Sequence, residues 1–219
     1  NLARMDSYVK QLEKVETALL PSEVDLGMQI GNFFRALSDI SAAPSDLAPR
    51  TVALEQGRNL ASAFNLTFMQ LDQLKDQTHA MMQEAVDGLN LLTKELASVN
   101  GRILSSGQSG KSPNSLLDLR DNLIYDISSL ADVSVSYSDR GVANLTIGSS
   151  GVGPSLVDGT AKTPIGFFER YDRIGGLQIV LNPLSSKTPT SQLSAGMIAG
   201  LSEAYGAIDS VIDETNQLA

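Results

Sequence analysis

The chain has 219 residues and an ordinary hydrophobic fraction of 42%, enough for one sizeable core or two modest ones. Sixteen basic against twenty-five acidic side chains give a formal charge of −9, with no Lys/Arg cluster to form the positive face that nucleic acid requires. No apolar run is long enough to span a bilayer, and no basic region leads into a short apolar core at the N-terminus. Cysteine and tryptophan are absent, which rules out disulfides, thiolate metal sites and cysteine nucleophiles.

Asn1 to Lys14 already read as helix interior, with Leu2, Met5, Val9 and Leu12 at helical spacing and no capping residue ahead of them. Leu218 and Ala219 likewise stop inside a helical pattern, so the expectation is a piece of a longer protein trimmed at both ends. The first helix should run from about Leu2 to Leu19 and end at Pro21, with Ser22 and Asp25 as a capping box for the second. That second helix is expected to bury Leu26, Ile30, Phe33, Phe34, Leu37 and Ile40 on one face and to stop before a loop from Ala43 to Pro49.

A third helix is expected from about Thr51 to Leu104, roughly 80 Å at 1.5 Å per residue. Its apolar seam, at alternating spacings of three and four, is carried by Phe64, Phe68, Leu71, Met82, Ala85, Leu89, Leu92, Leu96, Val99 and Ile103. Lys75 and Thr78 interrupt it. Such a gap either specifies register or marks where the helix leaves its partners and meets solvent, and the second reading is preferred. Gly101 or the loop from Ser105 to Pro113 should end the helix.

Ser115 and Asp118 form a second capping-box pattern, opening a fourth helix whose Leu116, Leu119, Leu123, Ile127 and Leu130 share a face up to about Ala131. The period then becomes alternating. Val133, Val135 and Tyr137 point one way, Ser138-Asp139-Arg140-Gly141 turns the chain, and Ala143 to Ile147 returns as the second arm of a hairpin. Further strands are expected at Ser155 to Val157, Gly166 to Tyr171 and Leu177 to Asn182. A last helix should run from about Thr190 or Ser191 to the end, carrying Leu193, Ile198, Leu201, Tyr205, Ile208 and Ile212. The fold class expected is mainly α with an inserted β domain. An elongated antiparallel helical rod spans 1–132, completed by 190–219, and a small all-β module occupies 133–189.

Residues that carry chemistry are few. His79 is the only histidine; with no cysteine and no carboxylate at ligand spacing it reads as a solvated or inter-helix side chain, and it has no neighbouring nucleophile loop for a triad. The glycines of Gly148 to Gly153 and the pair Gly175-Gly176 open no helix after a strand and lack the Lys-Ser/Thr of a phosphate loop, so they read as turns. Asp118, Arg120, Asp121 and Asp126 could suggest a cation site, but Arg120 supplies a countercharge and acids favour a first helical turn. Asn65-Leu66-Thr67 and Asn144-Leu145-Thr146 match a glycosylation pattern that is common by chance. No catalytic, cofactor-binding or metal-ligating residue is assigned, and no cofactor is expected.

Three strings carry a resemblance. Gly31 to Ser41, reading GNFFRALSDIS, with Pro44-Ser45-Asp46; Pro113 to Asp121, reading PNSLLDLRD, with Leu123, Ile127, Leu130 and Val133-Ser134-Val135; and Gly196 to Leu201 through Asn216-Gln217-Leu218-Ala219. Together they resemble the flagellar hook-associated protein 1 (FlgK) family over most of the chain, most weakly from Pro154 to Thr190. The chain departs from the family where Ser202-Glu203-Ala204-Tyr205 replaces an acidic-arginine pair.

The resemblance implies a non-catalytic, extracellular structural protein of the bacterial flagellum, exported by the flagellar type III route, that joins hook to filament. It implies hook protein, the neighbouring hook-associated protein and copies of itself in a ring as partners. It also implies an export chaperone engaged through a C-terminal region beyond this chain, no nucleic acid, no membrane, and a piece that is monomeric by itself. A coiled-coil interaction module of another secretion or signalling assembly would explain the heptads but not the strings. An enzyme is the more distant alternative.

Overall fold

A computed structural model describes residues 2–19, 26–106, 114–170 and 176–218. The expected end of the first helix at Pro21, the cap at Ser22 and Asp25, most of the loop before and including Pro113, Tyr171 and Gly175 lie outside the described residues. Five helices are described: α1 (Leu2–Leu19), α2 (Leu26–Ala42), α3 (Leu47–Ser106), α4 (Asn114–Leu130) and α5 (Met197–Leu218). Between α4 and α5, seven strands are present among the described residues: β1 (Val133–Tyr137), β2 (Ala143–Ile147), β3 (Ser155–Asp158), β4 (Ala161–Lys162), β5 (Ile165–Glu169), β6 (Leu177–Leu181) and β7 (Thr188–Pro189).

The expected class, mainly α with an all-β excursion between helices, is the observed one. All strand pairing is antiparallel, in two sheets of order β1-β2-β3-β4 and β5-β6-β7. The hairpin register runs from Val133 opposite Ile147 to Tyr137 opposite Ala143, and Ala143, Leu145 and Ile147 turn their side chains inward. The two-residue β4 and β7 were not expected; segments that short have no alternation to read.

Two compact units divide the chain. The first comprises Asn1–Lys10 and Thr78–Gly206, the second Gln11–Gln77 and Ala207–Ala219. The core of the first unit joins Met82, Leu89, Leu96 and Ile103 of α3 to Leu123 and Ile127 of α4, both sheets through Leu145, Ile147, Leu156, Ile165 and Ile179, and Ile198, Leu201 and Tyr205 of α5. The core of the second is Val15, Leu71, Leu74, Ile208 and Ile212.

Several expectations are corrected. α3 begins at Leu47, not Thr51: Asp46 caps it by accepting the Ala48 N–H at 3.0 Å, and Pro49 sits in the first turn, where a helix does not need its N–H. The polar gap at Lys75 and Thr78 does not face solvent. Thr78 is fully buried, and Lys75 donates to Asp209 Oδ1 at 2.5 Å. The buried line of α3 passes through Ala63, Thr67, Leu71, Leu74 and Thr78, leaving Phe68 outside it.

α5 starts at Met197 rather than at Thr190 or Ser191. The preceding segment makes tertiary bonds that a helix would forbid: Asp132 N–H donates to the Ala195 carbonyl and Thr190 N–H to the Ile179 carbonyl. Gly196, at φ 86°, lets the chain pass where a Cβ would lie 2.6 Å from the Leu130 carbonyl oxygen. Finally, α2 does not bury its apolar face. Of its residues Ala36 alone is buried; Leu26, Ile30, Phe33 and Ile40 are half-buried, and Phe34 and Leu37 are exposed. The start of α4 also precedes Ser115, which therefore lies inside the first turn instead of capping it.

Candidate functional site

Within the first unit, His79 is half-exposed on α3, edge-on to Phe167 of β5 at 5.1 Å between ring centroids and 6.2 Å from Tyr205 of α5. Its Nε2 lies 4.0 Å from Glu169 Oε1, which accepts the Tyr205 hydroxyl at 2.8 Å. This is an inter-element contact with no serine or threonine nucleophile in it. It joins a strand to two helices. Among the described residues no group of three or more His, Cys, Asp or Glu side chains gathers to hold a metal ion.

The acidic cluster of α4 resolves into an anchor. Arg120 is buried, pairs with Asp121 at 2.7 Å, donates to the Gly141 carbonyl, and lies 4.6 Å from the centre of the Tyr137 ring. It fixes the β1-β2 turn to the helix. The glycines between β2 and β3 serve packing as well as turning: a Cβ on Gly153 would fall 1.7 Å from the Ile147 carbonyl oxygen, which leaves no cradle for a phosphate. Of the two glycosylation patterns, Asn65 is exposed in mid-helix, and the Asn144 amide oxygen is occupied by the Gly159 N–H at 2.7 Å.

Sequence reasoning missed two asparagines of α3 that hold the sheets. Asn90 donates to the Ile165 carbonyl at 2.8 Å and accepts the Ile165 N–H at 2.9 Å, as a neighbouring strand would. Asn100 accepts the Ala143 N–H at 3.1 Å and donates to the carbonyls of Ala143 and Gly159 at 2.8 and 2.7 Å. Each amide thus docks one sheet on the helix, satisfying backbone groups that would otherwise be buried without partners. The only signal in the sequence is a polar residue among apolar ones.

The second unit displays apolar surface. Ile30, Phe33 and Phe34 of α2, Gly57, Leu60, Ala61 and Phe64 of α3 and Leu218 of α5 line an open cleft of about 460 Å³. Phe34 is 63% and Leu218 70% exposed. Leu47, Leu54, Ala61 and Phe68 recur every seven residues, hence on one face of α3, and Leu47 and Leu54 are 78% and 60% exposed. Contiguous exposed apolar side chains of this kind are a feature of binding and association surfaces.

The fold is helical with an all-β excursion, its sheets docked on a helix by amides and its apolar helix faces on display, and such a fold by itself does not fix a function. The profile of the flagellar hook-associated protein FlgK helical domain matches residues 12–219, and the chain belongs to that family, whose members are structural proteins of the bacterial flagellum. It is 31% identical over 153 residues to flagellar hook-associated protein 1 of Escherichia coli K12, covering 69% of this chain and 27% of that protein. To the protein of the same name from Bacillus subtilis it is 26% identical over 218 residues, covering 93% and 43%. The structure of the flagellar hook junction protein FlgK from Burkholderia pseudomallei shares the fold, with a TM-score of 0.79 and 23% identity over 95% of this chain and 37% of that one. This chain therefore spans less than half the length of the relatives it matches.

Proposed function

We propose that this chain is the helical domain of a protein that joins the flagellar hook to the filament. The match to the FlgK helical-domain family over residues 12–219 is the observation that carries the reading. Its work is mechanical: helices packed side by side carry load between subunits, and no reaction is catalysed. In this reading residues 1–132 and 190–219 form a helical rod domain, with 133–189 as an outer β domain. The partners of the whole protein are hook protein, the neighbouring hook-associated protein and further copies of itself in a ring. The protein reaches that position outside the cell by the flagellar type III route, with an export chaperone engaged through residues beyond this chain.

Deletion of the full-length gene is expected to leave hooks intact and bare, with filament subunits shed into the medium, and a plasmid copy should restore filaments. Filaments that assemble on the deletion strain as on its parent would sink the junction role.

A further inference from the structure

Asn100 is the only asparagine in the chain that a glycine follows. In such a pair the main-chain nitrogen of the second residue can attack the side-chain amide of the first. Glycine favours this, because it has no Cβ to obstruct the approach and its backbone turns freely enough to make it. Gly101 N, having lost its proton to solvent, forms a bond to Asn100 Cγ, and the side-chain nitrogen leaves as ammonia. Water then opens the cyclic imide, at Cγ to give aspartate or at the Asn100 main-chain carbonyl carbon to give isoaspartate. Amide and water have become acid and ammonia.

The native fold closes this route. Asn100 and Gly101 lie inside α3, where the helical ladder takes up the main-chain N–H and fixes the backbone. Asn100 is fully buried, and its amide is held on three bonds: Oδ1 accepts the Ala143 N–H at 3.1 Å, and Nδ2 donates to the carbonyls of Ala143 and Gly159 at 2.8 and 2.7 Å. Thr160 lies over Gly101, since a Cβ there would meet its Cγ2 at 3.5 Å. Cyclisation must therefore wait until helix and sheets have come apart.

The same contacts reject the product. A carboxylate at position 100 could still accept the Ala143 N–H, but it has no N–H to give, so two carbonyls would face a buried negative charge without a donor. Isoaspartate adds a carbon to the main chain and breaks the helical repeat of α3. Packing does not demand the glycine: 3.5 Å is an ordinary contact, and alanine is the better helix former.

We propose that Asn100–Gly101 is a deamidation site that folding shuts, and that a chain modified there before it folds cannot dock its sheets on α3. Time spent unfolded is thereby recorded as an irreversible change at a position where the change forbids native packing. The inference does not depend on the junction role.

The test holds the full-length protein in mildly alkaline buffer, in guanidinium chloride or in sodium chloride at equal ionic strength, and follows the tryptic peptide Glu95–Arg102 by mass spectrometry. Conversion of Asn100 is expected to be at least about tenfold faster in the denaturant, because in the native protein it waits on opening. Gly101→Ala should slow the denatured-state reaction several-fold and still fold when the denaturant is removed. On dilution of a partly converted sample, the refolded fraction should be depleted of converted peptide and the unfolded fraction enriched in it. Asn100→Asp should unfold at a lower denaturant concentration than its parent or fail to fold, whereas Asn65→Asp, at an exposed position, should match the parent. Equal conversion rates in native and denatured protein would overturn the proposal, as would a Gly101→Ala chain that converts as fast as its parent. So would converted chains shared evenly between the refolded and unfolded fractions, or an Asn100→Asp protein as stable as the parent.

Discussion

The two units are built from the same kinds of helix and differ in how fully they cover themselves. In the first, the apolar face of α3 is covered: sheets dock on it through Asn90 and Asn100, α4 and α5 pack on it, and large residues such as Leu89, Leu96 and Ile127 are fully buried. In the second, the core is Val15, Leu71, Leu74, Ile208 and Ile212, and α2 leaves Phe34 and Leu37 in solvent. Their glycines show the same contrast. A Cβ on Gly200 of α5 would fall 2.3 Å from the Arg4 carbonyl oxygen of α1, whereas one on Gly31 of α2 would meet nothing within 4 Å. Burial follows the number of layers, and an amphipathic helix with one neighbour cannot hide a wide apolar face.

The sharpest way to break this contrast is to cut into the first core. Leu89→Ala should cost about 2–5 kcal/mol, read by denaturant unfolding, because a fully buried leucine in a close-packed site leaves a cavity. A cost near zero would mean that the enclosure is loose. Next, Asn100→Ala removes the partner of the Ala143 N–H and of two carbonyls; a loss of about 1–3 kcal/mol and faster exchange of the Ala143 amide are expected.

The glycine pair gives effects of opposite sign. Gly200→Ala should destabilise by about 1–3 kcal/mol by forcing α1 and α5 apart, and Gly31→Ala should stabilise by up to about 1 kcal/mol through helix propensity alone. Thermal unfolding of the two variants decides it, and two shifts of the same sign would break the distinction. The smallest effect belongs to the open face. Phe34→Ser in this 219-residue chain should cost no more than about 1 kcal/mol, since the ring is 63% exposed and keeps only its contact with Phe33 and the edge of the cleft.

The sequence was most informative where local chemistry governs. The hairpin follows from alternation around Ser138-Asp139-Arg140-Gly141, and the structure pairs its arms from Val133 opposite Ile147 to Tyr137 opposite Ala143. The long α3 follows from its periodicity. Its true start needed Asp46 to be recognised as a cap and Pro49 as a first-turn residue rather than as loop.

What could not be read rests on distant partners. Asn90 and Asn100 acquire meaning only from backbone groups 75 and 43 residues away. Residues 190–196 have a helix-compatible composition, but the bond from Asp132 to Ala195 and the backbone turn at Gly196 draw them out of the helix. The seam gap failed for the same reason, since Asp209, which answers Lys75, lies on the returning helix. The exposed face of α2 failed in the opposite sense: amphipathic spacing states what could be buried and not whether a neighbour is there to bury it.

The unequal coverage of the two units is tested most directly by amide hydrogen exchange along α3 of this chain, a single helix that contributes to both. Residues 82–103 should exchange only through global unfolding, and residues 47–66 through local opening, at least about tenfold faster. One uniform level of protection from Leu47 to Ser106 would contradict the account.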